Sequence, residues 1–170
     1  PKDVRTLLKI GDLQARQGET STAADTYQRV AEFYSHQGFF LKAVAVYKQI
    51  LKLEPSYKEI NLRLGELYEL LGLISDAIRE YETLCAHYEK NNQQASFREL
   101  LEKVVQLDPK NVARQIRLAE TYTNHGMLEE ARAAFHSAAA QLQEEERFDD
   151  YILLSERIIQ FDPSDFEIAQ

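Results

Sequence analysis

The sequence predicts an all-α chain of about nine to ten antiparallel helices, and three observations carry that prediction. Six glycines and four prolines in 170 residues are too few for the turn every eight to twelve residues that a β-sandwich or barrel requires. The prolines stand at Pro1, Pro55, Pro109 and Pro163, so one spacing of 54 occurs three times in succession. The stretches between them place apolar residues at helical intervals of i, i+3, i+4 and i+7. An apolar content of 44% with 28% charged residues excludes a disordered or collagenous chain.

The prolines set a register of three units, 1–54, 55–108 and 109–162, with a fourth opening at 163–170. The chain thus reads as a segment cut from a longer array. Equivalent positions hold Ile10-Gly11, Leu64-Gly65 and Leu118-Ala119, then Gly18, Gly72 and Gly126. They continue with Ala23, Ala77 and Ala131, then Tyr27, Tyr81 and Phe135.

Each unit is expected to hold three helices. The second spells them most clearly. Leu62, Leu64, Leu67, Tyr68 and Leu71 keep helical spacing until Gly72, and Ser75-Asp76 offer N-cap chemistry for the next helix. That helix carries Ala77, Ile78, Tyr81, Leu84, Cys85 and Tyr88 on one stripe and breaks near Asn91–Gln94. Phe97, Leu100, Leu101, Val104, Val105 and Leu107 form the third, which ends at Asp108-Pro109 because the residue before proline is pushed away from helical dihedrals. Asp3, Asn111 and Asp165 follow a proline by two residues and are expected as N-caps; Tyr57 in the second unit leaves that work to Ser56 or to local water.

Leu64-Gly65, Tyr68, Gly72, Ala77, Tyr81 and the closing proline resemble the tetratricopeptide repeat (TPR), as do Leu118-Ala119, Tyr122, Gly126, Ala131 and Phe135. The resemblance implies a right-handed helical solenoid, in which small residues let two antiparallel helices approach and an aromatic fills the space between their turns. A TPR has two helices in 34 residues, whereas this period has three in 54. In the first unit the motif fits twice, because Val30-Ala31, Tyr34, Gly38, Ala43, Tyr47 and Pro55 also satisfy it. The middle helix then serves two pairs.

The sequence offers no catalytic, cofactor or metal constellation. No glycine-rich phosphate loop is present. Cys85 and His87 are two apart, on different sides of a helix, so they cannot chelate one metal or act as nucleophile and base; Cys85 reads as a buried thiol. His36, His125 and His136 are isolated, and His125 suits a helix C-terminus. The acidic run Glu144-Glu145-Glu146 with Asp149-Asp150 reads as a solvated helix junction. A single cysteine points to a reducing, cytoplasmic setting. With 28 acidic against 20 basic residues, scattered singly, the chain has no nucleic-acid footprint, and no apolar run approaches a membrane span.

Function is therefore expected to be protein binding without enzymatic activity. In TPR proteins the first helix of each unit lines the concave surface, which implies a candidate surface of Leu8, Lys9 and Asp12, of Leu62, Arg63 and Glu66, and of Ile116, Arg117 and Glu120. Each charged pair also fits an intrahelical i,i+3 ladder, and Leu8, Leu62 and Ile116 fit either core or groove floor, core being favoured. The carboxylate clamp of some TPR domains resembles Lys and Asn groups that are here Leu8 and Asp12, or Leu62 and Glu66, so chaperone C-terminal tails are not the expected ligand. An amphipathic helix or folded domain fits better. The stretch Gln37–Tyr47 is also similar to TPR segments of bacterial motility and polarity adaptors, some of which bind Ras-like GTPases. The alternatives are a regulatory or substrate-recruiting arm of a multidomain enzyme, and a self-associating array.

Overall fold

The computed structural model describes residues 2–161, and the side chains of 3–160. These residues form nine α-helices and no strand: α1 (Lys2–Arg16), α2 (Thr20–His36), α3 (Phe40–Leu53), α4 (Glu59–Leu70), α5 (Ile74–Lys90), α6 (Gln94–Leu107), α7 (Val112–Asn124), α8 (Leu128–Glu144) and α9 (Phe148–Phe161). The fold is all-α and TPR-like. Helices α2, α5 and α8 start 54 residues apart, as do α3, α6 and α9. The expected fourth opening at 163–170, with Asp165, lies outside the described residues. Two compact units contain these helices, residues 1–91 with α1–α5 and residues 92–170 with α6–α9.

Short turns built on one left-handed residue join most of the helices. In the first unit Gly18, Gly38 and Gly72 have φ of +81°, +74° and +71°. The following N–H then reaches back to close the turn, as Leu73 does to the Tyr68 carbonyl at 2.8 Å. Because such a turn leaves only one residue before the next helix, Leu73 becomes the N-cap of α5. Ser75 and Asp76 therefore sit inside its first turn, and the expected capping role is corrected. Asp76 instead pairs with Arg79. Asp3 is likewise within α1, and α4 is preceded by Lys58 with no side-chain cap. Asn111 behaves as expected: its side chain accepts from the Arg114 N–H at 3.2 Å.

In the second unit the left-handed positions are Asn92, Gly126 and Glu146, at +58°, +70° and +56°. Only glycine adopts this conformation without steric penalty, which for other L-residues is roughly 1–2 kcal/mol. Glu146→Gly, allowing for the greater freedom of glycine in the unfolded chain, is expected to stabilise the second unit by about 0.5–1 kcal/mol. A rise in the denaturant midpoint checks it, and an unchanged or lower midpoint would contradict the turn assignment.

Within each unit, helices pack on their chain neighbours. The first unit buries Tyr27, Val30, Ala31, Ala43, Tyr47, Ile50, Ile60, Leu64, Tyr68, Tyr81 and Leu84. Cys85 is buried beside Leu84, as its place on the stripe predicts. The second unit centres on Ala119, Phe135, Ala138, Leu142, Leu154 and Ile158. Small residues set the helix approach. A Cβ on Gly11 would lie 2.8 Å from the Tyr27 ring, and one on Gly65 would run into the ring of Tyr81. Where Ala119 takes that position, the opposing aromatic is Phe135, without a hydroxyl.

Candidate functional site

Two clefts carry the candidate residues, one in each unit. In the first unit α2, α3 and α4 enclose about 370 Å³ lined by Glu32, Ser35, His36, Phe40, Tyr47, Arg63, Glu66, Leu67 and Leu70. Arg63 and Glu66 meet across one helical turn at 3.1 Å, so this expected intrahelical pair exists and faces the cleft. The floor is apolar, Phe40 and Leu67, and Leu70 projects from the rim. Exposed pairs of this kind contribute at most about 1 kcal/mol to folding, so the charges remain available to a ligand.

In the second unit the ends of α7 and α9 with Leu142 enclose about 470 Å³, lined by Lys110, Val112, Ile116, Arg147, Asp150, Leu153 and Arg157 among others. Arg147 bridges Asp150 at 2.7 Å and Glu145 at 3.1 Å. The acidic run therefore lies at a helix junction, as expected, but is partly neutralised by an arginine inside it. A smaller cleft of about 330 Å³ holds Glu120, Thr123, Asn124, Phe135 and Arg157.

The remaining candidates differ in what they touch. Lys9 is exposed on α1. Asp12 accepts the Tyr27 hydroxyl at 2.6 Å, which ties α1 to α2. Burial, reinforced by that bond, pushes the Tyr27 hydroxyl up to about 12. Tyr81 bonds to Glu69 in the same way, and burial followed by this acceptor raises it further. Arg117 stacks over the Phe97 ring, 5.1 Å from its centroid, and Glu120 pairs with Arg157 on α9. Arg63 and Glu66 form the expected intrahelical pair, whereas Asp12 and Glu120 reach partners on neighbouring helices.

Leu8, Leu62 and Ile116 are half-buried, between a fully buried core placement and an open groove floor. The preceding Asn61 and Gln115 are the buried ones. Their amides find partners across the helix pair, Asn61 donating to Glu80 at 2.8 Å and Gln115 to the Ser137 hydroxyl at 3.1 Å, which lets a polar side chain take the inward place. Ile116 packs against the core cluster from the cleft side. Phe40, Leu70, Leu153 and Arg157 were not among the candidates. Phe40 and Leu70 lie on stretches whose apolar spacing reads as core, and Leu153 and Arg157 sit on a third helix rather than a first.

His125 caps α7, its Nδ1 2.6 Å from the Thr121 carbonyl oxygen, and His87 contacts the Asn91 amide. Among the described residues there is no group of three or more His, Cys, Asp or Glu side chains placed to hold a metal, and no helix is long and apolar enough to cross a membrane.

The Tetratricopeptide repeat family matches this sequence over residues 5–36, 35–98 and 86–150. The chain belongs to that family, whose repeats are scaffolds for protein–protein interaction. It is also similar to the human Protein O-mannosyl-transferase TMTC1, 23% identical over 132 residues, which covers 62% of this chain and 15% of that protein. The chain thus spans a small part of the length of that relative. Solved structures that it resembles include MamA from Desulfovibrio magneticus RS-1, 17% identical, with a TM-score of 0.38 and 85% and 97% of the two chains covered. YrrB, described as a TPR protein with an unusual peptide-binding site, is 18% identical with a TM-score of 0.37, covering 86% and 90%. The type III secretion translocator chaperone SycD of Yersinia enterocolitica is 17% identical with a TM-score of 0.35, covering 81% and 88%.

Proposed function

We propose that this chain is a non-enzymatic adaptor segment that receives an amphipathic helix or folded partner in the cleft of its first unit. One observation carries the reading: an apolar floor of Phe40 and Leu67 is flanked by Arg63, Glu66 and Glu32, so that hydrophobic and charged contacts are offered along one channel. The matching ligand is a helix with an apolar stripe edged by charges of both signs. Of the first-helix candidates, Arg63 and Glu66 are the proposed contacts in this cleft, with Asp12 acting through the framework, while Ile116 lines the separate cleft of the second unit. A lone buried cysteine suits a cytoplasmic setting, and the similarity of Gln37–Tyr47 to bacterial polarity adaptors points to a Ras-like GTPase as the partner class.

The test uses purified Ras-like GTPases, loaded with GTP or GDP, and amphipathic-helix peptides of mixed charge as probes. Arg63→Glu combined with Leu70→Asp should weaken binding at least tenfold while helical content is unchanged, since both side chains are exposed. Undiminished binding overturns the cleft, and binding of peptides but of no GTPase overturns the partner class. A second reading is supported by the transferase relative: the segment is a substrate-recruiting arm of a longer enzyme.

A further inference from the structure

Helix α3 holds three lysines and no acidic residue in a chain of net charge −8. It packs on α2 and α4, both wholly among the described residues, and buries Ala43, Val44, Val46, Tyr47 and Ile50. At about 100° per residue, Leu41, Lys42, Ala45, Lys48, Gln49 and Lys52 fall within an arc of about 120°, and all six are exposed. One face of the helix is thus basic along its length. The repeat does not require this charge. The equivalent face of α6 carries Glu99, Glu102 and Lys103, and that of α9 carries Asp149, Asp150, Glu156 and Arg157, so the same register tolerates either sign.

These lysines have no acidic partners. The Lys42 ammonium stands 4.6 Å from the Phe39 ring centroid and 5.6 Å from that of Tyr34, and the Lys48 ammonium 5.5 Å from that of Tyr68. Among the described residues no carboxylate pairs with Lys42, Lys48 or Lys52, whereas Arg63, Arg79, Arg114, Arg147 and Arg157 each have one. Aromatic faces therefore hold two of the ammonium groups in place without neutralising them. At the N-terminal end of the face apolar surface is open as well. Leu41 is 68% exposed and Phe39 50%, and Tyr34 stands edge-on to both Phe33 and Phe39, at 6.2 and 6.3 Å between centroids. The residues equivalent to Phe33, Phe39 and Leu41 are His87, Gln93 and Ala95, then Gln141, Arg147 and Asp149. The aromatic corner is particular to the first period, as the lysine face is.

We propose that this face of α3 docks an acidic amphipathic segment of a partner protein, whose apolar side chains cover Phe39 and Leu41 and whose carboxylates meet Lys42, Lys48 and Lys52. Charge complementarity selects that occupant. Lys42 and Lys52 lie about 15 Å apart along the helix axis, so a partner helix of about three turns with acids toward both ends spans them. An extended polyanion, such as nucleic acid or an anionic bilayer, meets the repulsion of a chain at −8. A short segment seated on the face lies within a Debye length of the lysines, about 8 Å at physiological salt, and is governed by them. The face points away from Tyr47, which lines the cleft with Arg63 and Glu66, so this surface is separate from that cleft.

Fluorescence anisotropy of a labelled peptide, titrated with the 170-residue chain, tests this. The probe is a synthetic helix of about three turns with leucines on one stripe and glutamates on its flanks, and the control peptide has lysine at each glutamate position. The glutamate peptide should bind about tenfold or more tighter than the control and weaken as salt is raised. Lys42→Glu combined with Lys52→Glu should weaken it about tenfold or more, and Leu41→Ser severalfold. Helicity by circular dichroism should not change, since all three side chains are exposed. Arg63→Glu with Leu70→Asp, which alters the cleft on the other side of α3, should leave peptide binding as it was. Equal binding of the two peptides, or undiminished binding by the double lysine variant, overturns the proposal. Loss of binding in the cleft variant alone overturns it in favour of the cleft. Tighter binding of a single-stranded oligonucleotide, or of phosphatidylserine vesicles, than of the glutamate peptide overturns it in favour of a nucleic-acid or a membrane contact.

Discussion

Tyr81→Ala is expected to cost the first unit about 3–5 kcal/mol, the range for truncating a large buried aromatic. The ring is fully buried and fills the gap that Gly65 leaves in α4. Removing it opens a cavity between α4 and α5, and α4 is already held on its other side by α3. Tyr81→Phe separates the two parts of the role. It keeps the packing and loses the hydroxyl that bonds to Glu69, which should cost about 1 kcal/mol, the usual net value of such a bond. Hydrogen exchange read helix by helix is the measurement. Loss of protection in α4 and α5 for the alanine variant, with near-native protection for phenylalanine, is the expected pattern; equal loss for both would move the weight from packing to the hydroxyl.

The second large effect is alkaline destabilisation. Tyr27 and Tyr122 are held at about 12 against an ordinary 10.0, chiefly by burial and then by bonds to Asp12 and Glu102, and Tyr81 is raised by burial and Glu69. Below pH 10 folded and unfolded phenols are both protonated, and the stability these sites contribute is fully present. Above pH 10 the unfolded chain releases protons that the folded chain retains, so the slope of stability against pH is negative. Stability is therefore expected to fall progressively between pH 10 and 12 in both units. Denaturant midpoints at pH 8, 10 and 11 read the loss. Tyr27→Phe should flatten the decline in the first unit and Tyr122→Phe in the second; unchanged profiles would show that other groups govern alkaline unfolding.

These tyrosines mark the limit of what the sequence makes legible. Their burial follows from the repeat, because an aromatic opposite Gly11 or Gly65 has a space of the right shape. Their acceptors do not follow, because Tyr27 uses Asp12 and Tyr81 uses Glu69, positions that are not equivalent in the register. Helix ends at Gly18, Gly72 and Gly126 are readable, since glycine is the residue that a left-handed turn favours. The turns at Asn92 and Glu146 are harder to read, for a glutamate there carries no such mark. In the clefts, Arg63 and Glu66 are visible as an i,i+3 pair, but the meeting of Phe40 with Leu67 and Leu70 depends on how three helices converge, which no single helix pattern specifies.

The pairing of each helix with its immediate chain neighbours within a unit also bears on how the protein folds in time. Contacts between adjacent segments close short loops, and chains dominated by such contacts fold in microseconds to milliseconds. Helix α2, which buries Ala23, Tyr27, Val30 and Ala31 and packs on both α1 and α3, can be joined by either neighbour and is suited to be an early nucleus. A helix that nucleates for both neighbours concentrates kinetic sensitivity: substitutions in α2 should slow folding, whereas equivalent losses at the outer helices should mainly quicken unfolding.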